Sequence, residues 1–147
     1  AETDWLLALA RRHAFLRGVV GWVDLRAPDC AGVLAEKAED PGFRGVRHIA
    51  QDERDDRFLL RDDFGRGLAA LEPLGLTYDI LLYARQLPAA VELVRRFPRQ
   101  RFVLDHLGKP DVRGGGFAAW RTHFRALAEA ENVCCKLSGL VLSLIHI

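Results

Sequence analysis

The segment LTYDILLYARQLPAAVELVRRFPRQRFVLDHL, residues 76–107, contains the unit from which the fold can be inferred. Its two ends, 76–83 and 101–107, are short apolar runs of the kind that form buried parallel strands. Between them, Pro88 begins and Pro98 ends a stretch with apolar residues at helical spacing. A strand, a helix and a second strand in this order predict a parallel βαβ unit with a right-handed crossover.

The same alternation extends along the chain in both directions. Strands are predicted to begin near residues 18, 43, 77, 101 and 133, with helical spacing between them. The predicted helices cover 1–14, 28–38, 64–74, 88–97 and 117–128. This pattern predicts an α/β fold, either a doubly wound sheet or a barrel. A complete (β/α)8 barrel needs about 250 residues, so we expect a partial TIM (β/α)8 barrel with about five parallel strands.

The composition excludes several functional classes. The 147 residues are 50% hydrophobic and carry 21 basic against 20 acidic side chains, which argues against disorder and against a nucleic-acid partner. No apolar run is long enough to cross a membrane. Neither a nucleic acid nor a membrane is therefore expected as a partner. Cys30, Cys134 and Cys135 form no CxxC pair, which favours reduced thiols and a cytoplasmic location.

The last six residues differ in character from the rest of the chain. Arginine outnumbers lysine 18 to 3, as expected from a GC-rich gene, yet two of the four isoleucines are Ile145 and Ile147. The string LSLIHI resembles a translated mosaic-end adapter of transposon-based sequencing libraries. We therefore expect a barrel domain over 1–141 and a non-native tail over 142–147. The alternative is an ordinary apolar strand.

Candidate functional side chains stand where the predicted strands end. In parallel barrels, binding and catalytic groups lie at the C-terminal ends of the strands. Asp105 and His106 lie near the end of the predicted strand at 101–107. A neutral imidazole at this place can bind a metal, polarise a carbonyl or transfer a proton. The alternative is a core histidine that pairs with a backbone carbonyl or with Asp105.

Arg47 is the candidate on the second strand. Its guanidinium suits a carboxylate or an anionic intermediate, although an ion pair with Glu53 or Asp55 is an equally good explanation. Since side chains alternate along a strand, Arg47 and His48 point to opposite faces. We expect Arg47 to be the one that faces the barrel interior.

Lys136 and Tyr83 are the remaining candidates for substrate binding. Lys136 interrupts an apolar strand, where it can hold an anion, act as a Schiff-base nucleophile or form an interior salt bridge. Tyr83 can donate a hydrogen bond to a substrate oxygen or simply pack. Asp24 and Asp79 are weaker candidates, because either can serve only to cap or to pair.

Four stretches of the sequence together resemble the amidohydrolase superfamily. They are 18–25, 44–48, 102–110 and 136–140, and the resemblance covers 1–141. It is most specific at DHLGKP, residues 105–110. The branch that the chain is most similar to contains L-fuconolactonase-like and 2-pyrone-4,6-dicarboxylate lactonase-like hydrolases.

The resemblance implies a TIM-barrel enzyme that opens a sugar lactone or a carboxylated cyclic ester with water. His106 corresponds to a later-strand histidine that contacts a metal or the substrate carbonyl, and Asp105 is grouped with it as a catalytic candidate. Arg47 and Tyr83 correspond to positions that bind substrate oxygens. Some members use a divalent, zinc-like metal and others use none, and His106 is the one metal-ligand candidate of this chain.

The sequence departs from the family in two ways. It contains no His-x-His pair, which the family carries on its first strand, and no last-strand aspartate, the usual base for the attacking water. We therefore expect strands three to seven of eight, with an inactive fragment and an active parent enzyme. A Schiff-base TIM-barrel aldolase that uses Lys136 and a non-catalytic βα module remain as alternatives.

Overall fold

In the part of the chain that the structure describes, five parallel strands form one sheet in the order β1-β2-β3-β4-β5. The structure is a computed structural model, and it describes residues 2–111 and 114–139. The strands are β1 Val19–Gly21, β2 Phe43–Ile49, β3 Thr77–Leu81, β4 Phe102–Leu104 and β5 Val133–Cys135. Every neighbouring pair is parallel, so the prediction of about five parallel strands is confirmed. The predicted tail at 142–147 lies outside the described residues.

A helix precedes β1 and another lies between each pair of consecutive strands, as predicted. The helices are α1 Glu2–Arg12, α2 Cys30–Ala38, α3 Asp62–Leu68, α4 Leu87–Arg96 and α5 Phe117–Ala128. None of the described helices is long and apolar enough to cross a membrane.

Several predicted element ends were wrong. The helix predicted to reach residue 74 ends as an α-helix at Leu68, and a separate 3-10 turn follows at Glu72–Leu74. Pro73 explains the interruption, since it has no N–H to continue the helical hydrogen bonds. The strand predicted over 101–107 ends at Leu104, because the next residues turn into a left-handed conformation.

The core lies between one face of the sheet and the helices. A row of aromatic side chains marks it: Phe58, Phe64, Tyr78 and Phe102 succeed one another with ring centroids 5.2, 5.6 and 6.3 Å apart. Phe64, Tyr78 and Phe102 are at most 1% exposed. Removing this much apolar surface from water is the main favourable contribution to folding.

The opposite face of the sheet carries the polar residues. Arg47 and Asp79 are register partners on β2 and β3, and Asp79 alternates with the core residue Tyr78. Two large apolar side chains near the C-terminal ends of β1 and β2 are also open to solvent. Trp22 is 51% and Ile49 45% exposed. The candidate site therefore lies on this face of the sheet, at the C-terminal ends of the strands.

Candidate functional site at the strand ends

A buried carboxylate lies at the centre of the candidate site. Asp105, directly after β4, has no exposed surface. Its Oδ1 lies 2.5 Å from Lys136 Nζ and its Oδ2 lies 3.4 Å from Arg47 Nη1. Arg47 belongs to β2, Asp105 follows β4 and Lys136 follows β5. Side chains from three strands therefore meet at one carboxylate.

Lys136 connects this carboxylate to a second one. Its Nζ also donates to Asp79 Oδ2 at 2.6 Å, and the Asp79 side chain is only 2% exposed. Burial raises the pKa of Asp79, although the contact with Lys136 opposes the shift. Burial acts against the charged form of Lys136, but the contacts with Asp105 and Asp79 raise its pKa overall. Two carboxylates and two cations thus balance each other in charge.

This geometry bears on two of the sequence hypotheses. Lys136 forms an interior salt bridge, which is one of the three roles predicted for it from the sequence. A Schiff-base nucleophile needs an unprotonated amine, which a lysine attains when its pKa is depressed. The two carboxylates have the opposite effect, so the arrangement disfavours the aldolase chemistry.

Arg47 and His48 lie in different environments. Arg47 pairs with Asp105 rather than with Glu53 or Asp55, and its side chain is 44% exposed. Glu53 instead contacts His48, with its Oε1 2.8 Å from the ring Nε2. His48 is 8% exposed and stacks on Phe58 among the core aromatics. Arg47 is therefore the member of the pair that is available to a ligand.

His106 is held by a hydroxyl group. Its Nδ1 lies 3.0 Å from Ser138 Oγ, so the partner is neither Asp105 nor a backbone carbonyl, the two that were expected for a core histidine. This bond occupies Nδ1 and leaves Nε2 as the nitrogen for a substrate. Ser138 was identified from the sequence only as a polar residue at the end of the same predicted strand as Lys136, with no role assigned to it.

Tyr83 lies beside a lysine that the sequence reasoning also missed. Its side chain is 41% exposed, and Lys109 Nζ lies 4.9 Å from the centroid of its ring. Lys109 also donates to the side chain of Gln51, and burial lowers its pKa. The only signal for Lys109 was its place in the DHLGKP stretch.

The described residues do not build a metal centre by themselves. No group of three or more His, Cys, Asp and Glu side chains suitable for a metal occurs in 2–111 and 114–139. Asp105, the acidic neighbour of His106, already faces two cations. Within these ranges His106 can supply one ligand through Nε2, and further ligands would have to come from elsewhere.

Comparisons with known proteins assign the family. The profile described as amidohydrolase matches residues 1–143. L-fucono-1,5-lactonase from Burkholderia ambifaria is 41% identical over 139 residues, which are 95% of this chain and 48% of that protein. L-fucono-1,5-lactonase from Burkholderia multivorans is 44% identical over 146 residues, with 95% and 49% covered. The chain therefore spans about half the length of the curated relatives it matches.

Solved structures agree with this family and with its fold. A crystal structure of an amidohydrolase from Burkholderia multivorans with bound zinc is 42% identical, with a TM-score of 0.87 over 97% of this chain and 51% of that one. A probable 2-pyrone-4,6-dicarboxylic acid hydrolase from Acinetobacter baumannii, crystallised with citric acid, is 18% identical, with a TM-score of 0.71 over 91% and 48%, and it supports the fold alone. The chain belongs to the amidohydrolase family, and its five strands are part of a TIM (β/α)8 barrel.

Proposed function

We propose that the protein to which this chain belongs opens a lactone with water. The observation that carries the proposal is the half-exposed Arg47, which the buried Asp105 anchors at the same strand-end edge as His106. The names of the two Burkholderia relatives support a lactone as the substrate. A sugar lactone or a carboxylated cyclic ester fits a site with an exposed guanidinium, an exposed phenol and a half-buried imidazole.

The reaction assigns a role to each of these groups. Water adds to the carbonyl carbon, the ring C–O bond breaks, and a hydroxy acid is released. Arg47 offsets the negative charge that develops on the substrate oxygens. His106 Nε2 contacts the carbonyl, and the Tyr83 hydroxyl donates to a further oxygen. The resemblance assigns the base for the attacking water to an aspartate after the last barrel strand.

Asp105 has a different role from the one expected for a catalytic acid or base. Both its oxygens face cations and its side chain has no exposed surface. We therefore assign Asp105 to the positioning of Arg47 and Lys136. Asp105, Lys136 and Asp79 then form the support beneath the exposed groups.

A divalent, zinc-like metal requires ligands beyond those described. Among the described residues His106 is the one candidate ligand. Its Nε2 would then hold the metal in place of contacting the carbonyl, and the metal would polarise the carbonyl as a Lewis acid. The zinc in the Burkholderia multivorans amidohydrolase supports this assignment. Metal content of the purified whole protein, compared between wild type and His106→Asn, measures it directly.

The chain's place in the barrel is also a proposal. We infer that β1 to β5 are strands three to seven, that 1–141 is barrel domain and that 142–147 is derived from an adapter. A source gene whose reading frame continues into LSLIHI would contradict the last point. The free thiols of Cys30, Cys134 and Cys135 support a reducing, cytoplasmic location.

Replacement of Arg47 tests the lactonase proposal. In the whole protein, Arg47→Met should lower kcat/KM for L-fucono-1,5-lactone about tenfold to a hundredfold, because a charge-assisted contact to the substrate is lost. Acid release at constant pH measures the reaction. Arg44→Met is the matched control, since Arg44 is an exposed residue three positions earlier on β2.

Two results would contradict this assignment. One is an equal loss of kcat/KM in the Arg44→Met and Arg47→Met variants. The other is a stable adduct with a carbonyl substrate after borohydride treatment, lost in Lys136→Met, which would favour the aldolase instead. A lactonase gives no such adduct.

A further inference from the structure

The segment after β4 is a left-handed turn that few sequences adopt. Four consecutive residues have positive φ angles: His106 at 54°, Leu107 at 56°, Gly108 at 64° and Lys109 at 49°. Three of them are not glycine, and side chains with a Cβ are disfavoured in this region. Such backbone persists only where its surroundings hold it in place. The turn also carries His106 and Lys109, two of the polar groups at the strand ends.

One side chain from outside the site holds the middle of this turn. Trp120 on α5 donates its indole Nε1–H to the carbonyl oxygen of Leu107 at 2.7 Å. The Trp120 ring stacks on Phe124 at a centroid distance of 4.7 Å and packs against Phe117 at 4.9 Å. The indole that donates to the turn therefore packs against two aromatic neighbours on its own helix.

Further contacts of the turn come from other parts of the structure. The Leu107 amide donates to the Lys136 carbonyl, which follows β5, at 3.3 Å. The Lys109 amide donates to the His106 carbonyl at 2.9 Å, which closes the turn within itself. Gly108 is buried, and a Cβ at this position would lie 2.9 Å from a methyl carbon of Leu87 on α4. Leu87 of α4 thus leaves no space for a side chain at Gly108. Trp120 binds the backbone carbonyl of the preceding residue.

We propose that Trp120 is a positioning residue, which through the Leu107 carbonyl holds the left-handed turn that presents His106 and Lys109 to the substrate. Its effect on activity rests on the lactonase function proposed above. Its effect on the backbone of the turn does not, so the two can be measured separately.

The test compares two aromatic substitutions on α5 in the whole protein. Trp120→Phe removes the N–H donor and keeps an aromatic ring, whereas Phe124→Leu disturbs the same stack and keeps the donor. Amide hydrogen exchange reports on the turn without any substrate. We expect faster exchange of the Lys109 amide in Trp120→Phe only, even where both variants lose similar thermal stability. We also expect kcat to fall about tenfold in Trp120→Phe, as for one lost hydrogen bond.

A second substitution separates positioning from packing. Glycine adopts positive φ without strain, so Leu107→Gly should make the turn less dependent on Trp120. We expect Leu107→Gly to restore part of the kcat lost in Trp120→Phe. If Trp120 serves only to pack α5, the effects of the two substitutions should add. Additive effects would overturn the proposal.

Further outcomes are also decisive. Unchanged exchange of the Lys109 amide in Trp120→Phe, or equal changes in both α5 variants, would refute the role of Trp120. If the wild-type protein hydrolyses no lactone, the proposed function fails while the exchange rates still decide the positioning role. If Trp120→Phe does not fold, site-specific replacement of Trp120 by 3-benzothienylalanine keeps the ring shape, removes the N–H and provides the same comparison.

Discussion

Asp105 and Asp79 are buried carboxylates whose charges are balanced by partly exposed cations. Asp105 is 0% and Asp79 2% exposed, whereas Lys136 and Arg47 retain 42% and 44% of their side-chain surface. A buried ion pair adds little net stability over an apolar replacement, but removing one partner leaves the other charge buried and unpaired. The cost of a substitution therefore depends on which partner is removed.

Replacement of Lys136 should destabilise the protein more than it would at a surface ion pair. Lys136→Met leaves two buried carboxylates with Arg47 as their neighbour, and we expect a loss of at least about 2 kcal/mol in the free energy of unfolding. Lys37→Met, which removes a lysine that contacts the exposed Asp4, should cost clearly less than Lys136→Met, because a surface ion pair contributes little. Urea denaturation of the whole protein measures both. Equal losses would show that Lys136 acts as a surface charge.

Gly139, three residues after Lys136, keeps space free for His106. It has φ +77°, and a Cβ there would lie 2.5 Å from His106 Cβ. Gly139→Ala should therefore displace the imidazole and lower kcat by about tenfold or more, since small displacements of catalytic groups are costly. Gly115→Ala is the control, because Gly115 has φ +78° with no atom within 4 Å of its Cβ position. Similar kcat values in both variants would exclude a specific effect on His106.

At the level of elements, close backbone contacts limit the choice of residue more strongly than helix propensity does. In α3, Gly67 lies against the chain after β1, where a Cβ would be 1.9 Å from the Leu25 carbonyl oxygen. Gly65 lies on the same helix, with Phe97 as the nearest neighbour of its Cβ position at 3.6 Å. In this helix a close backbone contact therefore requires glycine at position 67, whereas there is space for a Cβ at position 65.

Alanine substitutions in α3 should have opposite effects. Gly65→Ala should stabilise the protein by about 0.5 to 1 kcal/mol, because alanine has the higher helix propensity. Gly67→Ala should destabilise it by about 2 kcal/mol or more, since the helix must move away from the Leu25 carbonyl. Thermal unfolding compares the two variants. An increase of Tm in both would show that α3 shifts without cost.

The elements themselves were predictable, but their ends were not. Apolar periodicity depends on which face of an element is buried, and this is a local property of the sequence. The end of β4 at Leu104 depends instead on the left-handed turn. Trp120 and Leu87 of α4 contact this turn, although neither is close to it in the sequence. Non-local contacts of this kind leave no periodic signal.

At the scale of the whole molecule, one face of the sheet remains open in the described residues. Val20, Trp22 and Ile49 are 36%, 51% and 45% exposed. Within the same residues β1 and β5 each pair with one neighbouring strand. Exposed apolar surface and unpaired strand edges promote association between chains.

The 147-residue chain on its own should therefore associate and show no lactonase activity. We expect it to elute as oligomers or aggregates in size-exclusion chromatography with light scattering, and to bind a hydrophobic dye. The whole protein is the control and should bind less dye. A monomer with one cooperative thermal transition would contradict the expected association, and turnover of L-fucono-1,5-lactone by the chain would contradict the expected inactivity.

The sequence by itself determined the parallel α/β class, the order of strands and helices, and the strand ends that carry Arg47, Asp105, His106 and Lys136. These follow from apolar periodicity and from polar residues at the ends of apolar runs, which are local properties. Only the tertiary structure decided which charges pair, since Lys136 and Asp79 are 57 residues apart and meet through the register of the strands. It also decided that Trp120 reaches the Leu107 carbonyl, because this contact depends on how α5 packs against the turn.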